Sequence, residues 1–584
     1  VNHPAALRSM RLSPLLALLL ACSGEGGSDK GDGGGGDGAD PTDDSGGSDG
    51  SDGSDGSDGS DGGGDTGEPE PDPDPTEACT TLGLDSLPFD PTAPSAMQRR
   101  QPAGDLSVPL TDGTTWTLSE QWSGCDSYLF VPNWFPVSSL DTRSWFDTRL
   151  DKLIDESPLN VHYFFVIGTD YWGDMGEQEA LMDSSIDELL LDMDEADRDW
   201  WSSRLHVVRG APGEFDGLVS DMLSSDVGVY GFGIDRGQKL RGVGHMASVI
   251  DYDADLSAEG EWPYETHLYP VAHEATYFNY QHERAARLAG DGATVVPIFG
   301  GEVYAEYVDG TLTLPDGATM ASFDTLEIDV LMECPDRDKA EPGNCGAWDY
   351  IAELWLWDEA TETWLEFGRF ITSYHRETEW VVDATHALAW LQEGGTRTVR
   401  YSWAPSWNTQ PTGITVDLRL SNQGKGMRPV AAWPLFQGGA FGSTYNDRAA
   451  VEVEVSPDAK KVDVVAIITG HGMETNNCAE FCGQEHSFTV GGTTNTLDFD
   501  VAGTSRGCER TVSSGTTPNQ PGTWWYGRGG WCPGRQVDPY VVDVTAEAPA
   551  GSTASFTYSA TQDGRTPADG SGNIEMRSWA VVYE

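Results

Sequence analysis

Basic residues are scarce in this chain. Lys and Arg together number 34 against 95 Asp plus Glu, for a formal net charge of −61. So acidic a surface repels a phosphate backbone, which excludes nucleic acid as the partner. Long apolar runs are missing near the start, where an anchor helix would sit. The run there, Leu15-Leu16-Ala17-Leu18-Leu19-Leu20, is too short to span a bilayer and has the length of a signal-peptide core. Cys-x-x-Cys pairs are absent, and with them the usual spacing of a structural zinc. Histidine is sparse at 11, and the best copper-ligand candidate of the C-terminal half is His471-Gly472-Met473, with no His-x-His. His267, His273, Glu274 and His282 are separated by spacings that fit no ligand set and read as scattered polar residues. No metal and no cofactor is expected.

What is present begins with a leader. Residues 1–9 read as an upstream extension, with Met10 the translation start and Arg11 ahead of the apolar run. The run closes Leu19-Leu20-Ala21-Cys22, which resembles the bacterial lipobox. That resemblance implies a signal peptide over residues 1–22, with Cys22 the lipidated first residue of the mature protein. Residues 23–78 then hold eighteen acidic residues and one lysine, including five Ser-Asp-Gly repeats from Ser48 to Gly62. Gly and Ser make such a segment flexible and like charges extend it, so it reads as a disordered spacer. Its Asp-Gly repeats lack the ligand spacing of an EF-hand loop.

Nine cysteines remain to be placed. Setting Cys22 aside leaves eight, enough for four bridges in an oxidising compartment. Local pairing gives Cys334 with Cys345, Cys478 with Cys482 and Cys508 with Cys532, and leaves Cys79 and Cys125 for each other. The pairing of those last two stays open.

About 500 residues follow the spacer, more than one core usually serves. Residues 79–255 alternate buried runs, Ser127 to Val131, Val161 to Ile167 and Leu205 to Val208, with an amphipathic stretch, Glu177 to Met193, whose apolar period predicts a helix. Tyr230 to Gly244 reads as a hairpin turning at Arg236-Gly237. This order resembles a thioredoxin-like domain. Redoxins carry a thiol after the first of these strands; here the chain reads Pro132-Asn133-Trp134-Phe135-Pro136-Val137, so a non-catalytic accessory domain is expected. Residues 256–291 read as a connector. The remainder is β-rich: Val451-Glu-Val-Glu-Val455 alternates like a half-buried strand, and Val464-Val-Ala-Ile-Ile468 is continuous like an interior one. Short strands, glycine-rich turns and many tryptophans predict antiparallel sandwiches, divided as 292–433 and 434–584.

Two carboxylates stand out in this half. Glu480 sits inside the short loop Cys478-Ala479-Glu480-Phe481-Cys482, where a disulfide would hold the backbone on both sides of it. Asp349 lies in Cys345-Gly-Ala-Trp348-Asp349-Tyr350, at the head of a strand. With Glu333-Cys334-Pro335, Leu365 to Tyr374, Val382-Asp383-Ala-Thr, His486, Cys508, Pro521-Gly-Thr-Trp524 and Arg528-Gly-Gly-Trp531-Cys532-Pro-Gly, these motifs resemble the peptide-N-glycosidase F family. The resemblance implies two side-by-side antiparallel jelly-roll sandwiches with the site at their interface, and the family's three C-terminal-half disulfides. It implies Asp349 and Glu480 as the catalytic pair. Arg528, Trp531, Trp348, Tyr350 and His471 are implied to bind substrate. Two carboxylates in different environments suit the delivery of water to an amide carbonyl and of a proton to the leaving amine. Tyr350 stands where the family has an arginine and His471 where it has a tryptophan; the stretch Tyr401-Ser-Trp-Ala-Pro-Ser-Trp407 has no acid where the family carries a third one.

The expectation is therefore a mainly β protein behind an α/β domain. It would be a monomeric amidase, anchored to the bacterial (outer) membrane through its lipid alone, that releases N-glycans from glycopeptides. The alternative is a glycan-binding lipoprotein that keeps the fold without turnover.

Overall fold

The computed structural model describes residues 76–584, apart from residues 95–96, 134–145, 147–148, 171–172, 247–248, 251–263, 266 and 475. The leader, Cys22, nearly all of the spacer and the segment after Asn133 fall outside the described residues.

The N-terminal unit is built on a five-stranded mixed sheet. Its strands are β1 (Ser127–Pro132), β2 (Val161–Val166), β3 (Leu205–Val208), β4 (Phe232–Ile234) and β5 (Leu240–Gly242), in the order β3-β2-β1-β4-β5. β1, β2 and β3 run parallel, β4 pairs antiparallel with β1, and β5 with β4. β1 and β2 read as unbroken apolar runs because both faces are covered. Leu129, Val131, Tyr163 and Phe165 pack to one side; Tyr128, Phe130, Phe164 and Val166 pack to the other. The crossover helix Met175–Leu191 starts where Asp174 accepts hydrogen bonds from the Gly176 and Glu177 amides, satisfying two donors a helix start leaves free.

The stretch read as a connector holds a 19-residue helix, Ala272–Gly290. Its buried face includes His273, Glu274 and Gln281 beside Ala275 and Phe278. Polar residues on the inward side interrupt the apolar period that marks a helix in a sequence. His273 and Glu274 are thus not scattered. His273 meets Glu509 at 2.7 Å, and Glu274 pairs with Arg376 at 3.0 Å.

Two sandwiches follow. The first has strands β6 (Thr294–Tyr304), β7 (Tyr307–Asp316), β8 (Thr325–Glu333), β9 (Ile351–Asp358), β10 (Thr363–Ile371), β11 (Thr378–Asp383), β12 (Gly394–Ser402) and β13 (Thr412–Ser421). They form antiparallel sheets β6-β13-β8-β11 and β7-β12-β9-β10. The second has β14 (Pro429–Ala440), β15 (Val451–Glu454), β16 (Lys461–His471), β17 (Gln484–Val490), β18 (Thr493–Asp498), β19 (Tyr540–Asp543), β20 (Thr553–Gln562) and β21 (Asn573–Tyr583), in sheets β14-β21-β16-β19 and β15-β20-β17-β18. β14 runs through residue 433, where the sequence reading divides the sandwiches; the division lies in residues 422–428, between β13 and β14.

β16 explains how the halves meet. Val464, Ala466 and Ile468 face the core of their own sandwich, while Val465 and Ile467 join Ile371, Trp531, Val537 and Trp579 in a second apolar layer between the sandwiches. A strand buried on both faces has no polar alternation, as the sequence shows. The long excursion between β18 and β19 reaches the N-terminal unit, where Val512, Trp524, Trp525 and Tyr526 enter its core. All four disulfides are formed: Cys79–Cys125, Cys334–Cys345, Cys478–Cys482 and Cys508–Cys532.

Candidate active site

Asp349 sits two residues ahead of β9, just beyond the loop closed by Cys334–Cys345. The backbone on either side of it is held by one hydroxyl. Thr372 Oγ1 donates to the Trp348 carbonyl at 2.6 Å and accepts from the Tyr350 amide at 2.8 Å. Tyr374, two residues further on, donates its hydroxyl to Asp349 Oδ2 at 2.5 Å.

Glu480 comes from the other sandwich. Its loop is stapled by Cys478–Cys482 and folded over Gly472, whose amide donates to Glu480 Oε2 at 3.3 Å. The Gly472 carbonyl accepts from the Ala479 and Glu480 amides. Gly472 adopts a positive φ of 82°, and an added Cβ would lie 2.4 Å from the Ser571 carbonyl oxygen, so only glycine fits.

Arg528 joins the two acids. Its Nη2 is 3.6 Å from Asp349 Oδ2 and its Nε is 3.4 Å from Glu480 Oε1. The guanidinium is buried, 1% exposed. Its other hydrogens go to the Thr523 and Tyr526 carbonyls and to Thr523 Oγ1, at 2.9–3.0 Å. It lies over the rings of Phe481 and Trp531, 5.0 and 4.8 Å from their centroids. The fork is thus engaged by protein groups, with both carboxylates at its edge. Trp531 is buried as well. It donates from Nε1 to the Gly470 carbonyl at 2.7 Å and stacks on His471 at 5.1 Å. These two residues, expected to bind substrate, form the floor beneath the acids.

Electrostatics separates the groups. Burial pushes the Asp349 carboxyl up to about 6, with Glu480 adding to the rise; Arg528 and the Tyr374 hydrogen bond hold it from going higher. Tyr374 is raised well above its ordinary 10 by burial and the Asp349 charge, so it stays a protonated donor. His471 is driven down to about 3 by burial, with Arg369 and Arg528 adding to the fall, and is neutral at working pH.

The faces open to solvent are aromatic. Trp348 is 38% exposed and Trp407 is 79% exposed. The Tyr350 ring meets Trp407 edge-on at 6.2 Å, and the Tyr350 hydroxyl accepts from Asn408 Nδ2 at 2.8 Å. Tyr374, Trp407, Asn408 and Phe481 were assigned no role from sequence. Tyr374 closes the motif beginning at Leu365, but its meeting with Asp349 depends on a turn no spacing shows. Among the described residues no group of three His, Cys, Asp or Glu side chains is arranged to hold a metal ion.

Fold and site together define a class: paired antiparallel sandwiches whose junction carries two carboxylates on one buried arginine. Residues 441–581 match the family model for the C-terminal part of peptide-N-glycosidase F. The match supports a peptide-N-glycosidase F-family protein in the C-terminal half of the chain. It is 26% identical over 277 residues to peptide-N(4)-(N-acetyl-beta-D-glucosaminyl)asparagine amidase F of Elizabethkingia miricola, covering 44% of this chain and 73% of that protein. Among solved structures, PNGase F, a glycosylasparaginase from Flavobacterium meningosepticum, is 21% identical with a TM-score of 0.42 and covers 50% of this chain and 96% of that one. PNGF-II is 13% identical with a TM-score of 0.38, covering 52% of this chain and 66% of its own.

Proposed function

We propose that the protein hydrolyses the side-chain amide that joins an N-glycan to asparagine in a glycopeptide. The observation that carries the reading is Asp349, a carboxyl titrating near 6 and held between Tyr374 and Arg528 at the junction of the sandwiches. Above that pH it is a base within reach of neutral conditions. Asp349 takes a proton from water as the water oxygen bonds to the amide carbonyl carbon. The carbon–nitrogen bond then breaks, a proton passes to the departing glycosylamine nitrogen, and the peptide is left with aspartate. Glu480 shares Arg528 with Asp349 and supplies the second carboxyl for this traffic. Trp348, Tyr350 and Trp407 give sugars flat apolar faces.

The same reading places the protein outside the cell as a monomer, exported and held to a membrane by lipid on Cys22. Its N-terminal unit is read as a thioredoxin-like accessory domain, for which the strand order β3-β2-β1-β4-β5 is the support.

A fragment lacking residues 1–75, incubated with an N-glycopeptide, should release glycan and convert the asparagine to aspartate. Asp349→Asn should abolish both. Binding without release would instead support a glycan-binding module, the reading favoured by the absence of an acid from residues 401–407.

A further inference from the structure

We propose that Glu274, on the helix that links the N-terminal unit to the sandwiches, is a positioning residue for the site. Through Arg376 it fixes the turn that delivers the Tyr374 hydroxyl to Asp349. The inference rests on the amidase reading for its kinetic consequence, and on geometry alone for its structural one.

The turn is short and unusual. His375 adopts a positive φ of 57°, a conformation that needs its surroundings to hold it. Its amide donates to the Gly346 carbonyl at 2.7 Å, and Ser373 Oγ donates to the Arg376 carbonyl at 2.5 Å. From the second sandwich, Gln520 Oε1 accepts from the Tyr374 amide at 2.8 Å. The His375 ring also meets the Cys345 carbonyl at 3.1 Å and the Gly343 amide at 3.3 Å, and the charged hold on the turn is Arg376. Its Nη1 and Nη2 donate to the two oxygens of Glu274 at 3.0 and 3.2 Å, its Nη1 also donates to the Pro518 carbonyl, and its Nε donates to Glu341. Glu274 is fully buried.

Glu274 is more than a counter-ion. Its Oε1 also accepts from the Gly244 amide at 2.9 Å, just past the N-terminal sheet, and from Asn519 Nδ2 at 3.1 Å, in the second sandwich. An added Cβ at Gly244 would lie 2.0 Å from the Asn519 carbonyl oxygen and 2.5 Å from Arg376 Nη1, so three chain segments meet there without room to spare. One carboxylate therefore ties the N-terminal unit, the linking helix and both sandwiches to the residue next but one to Tyr374. A bidentate Arg–carboxylate pair fixes angle as well as distance, which is what a hydroxyl aimed at one carboxylate oxygen requires.

The groups facing Asp349 are Tyr374, Arg528 and Glu480. The Tyr374 hydrogen bond favours the ionised form, so loosening it raises the pH at which Asp349 ionises and moves the acid limb of kcat/KM upward. Glu274→Gln keeps the shape and leaves Arg376 its bond to Glu341, so no buried cation is stranded. In the full chain, Tyr374→Phe should move the limb up by about one pH unit and Glu274→Gln by about half a unit. The double variant should match Tyr374→Phe alone, because Glu274 acts through Tyr374. Asp291→Asn, which cuts the Asp291–Arg419 pair at the far end of the same helix, should leave the limb in place. If Glu274→Gln does not fold, Arg376→Lys, which keeps the charge and loses the fork, should give the same shift. Titration of the 13C-labelled Asp349 carboxyl reads the shift without turnover, so a failure to cleave glycopeptide counts against the amidase reading alone. An unmoved limb, a shift that adds fully to that of Tyr374→Phe, or an equal shift in Asp291→Asn overturns the proposal.

Discussion

Removing the charge of Arg528 tests the site most directly, because one guanidinium stands against both carboxylates. Its Nη2 lies 3.6 Å from Asp349 Oδ2, and the guanidinium is 1% exposed against 17% for the Asp349 side chain. At an effective dielectric constant of about 20, unit charges that far apart attract by about 5 kcal/mol, equivalent to about 3 pH units. Water reaching the Asp349 edge screens part of this, so the expected effect of Arg528→Gln is a rise of about 1–3 units from the starting value of about 6. The activity window would then open only in alkaline solution. Arg528→Lys separates charge from shape. An ammonium keeps the acid limb near its original place, but it cannot reach two carboxylates while satisfying Thr523 and Tyr526, so kcat should fall by about tenfold or more. The assay is kcat/KM for glycopeptide cleavage from pH 4 to 10, with direct titration of the 13C-labelled Asp349 carboxyl to show that the limb belongs to Asp349. An Arg528→Gln limb that coincides with the unmodified protein would refute the reasoning: either the charge does not act on Asp349, or another group titrates.

Asp349→Asn should also change stability, in a direction opposite to its effect on activity. Folding raises the Asp349 carboxyl from 3.8 to about 6, so stability is lost as pH climbs through that window and the loss, about 3 kcal/mol, is complete above it. Calorimetry should find the variant more heat-resistant at pH 8 and no better at pH 4. Replacing Cys478 and Cys482 by serine should cost about 2 kcal/mol for so small a loop. Urea melts read that loss, and kcat should drop further than the melt accounts for, because Glu480 loses its rigid mount. Trp407→Ala, at a side chain 79% exposed, should leave the melting temperature unchanged and raise KM several-fold with little change in kcat.

Much of the framework was legible because periodicity is a local property. Leu205–Val208 is a strand with the bounds its apolar run suggests, and the unbroken Val464 to Ile468 run does lie between two apolar layers. The hairpin turns where Arg236-Gly237 stand, with Asp235 accepting from the Gly237 and Lys239 amides. The linking helix was not legible, since its inward face is filled by His273, Glu274 and Gln281. Nor was the placing of Arg528 and Trp531 beneath the acids. Which side of a cleft a residue occupies depends on backbone carbonyls such as those of Thr523, Tyr526 and Gly470, and carbonyls leave no mark in a sequence. The role of Tyr374 depends likewise on a left-handed His375 that no residue preference foretells.

Arg528 belongs to a wider pattern. Arg99, Arg204, Arg236, Arg369, Arg376, Arg419 and Arg506 are buried with it, and no lysine is buried among the described residues. These cations are matched indoors by buried acids, among them Glu274, Glu341, Glu366, Glu377, Glu379 and Glu509, so the large negative net charge is carried almost wholly by the outer surface. Self-repulsion of that kind is long-ranged but fades over about 8 Å at physiological ionic strength. Added salt should therefore make this protein harder to unfold while leaving the interior pairs intact. A neutral glycan should approach the junction freely, whereas one carrying carboxylates or sulfates would meet an opposing field until salt screens it.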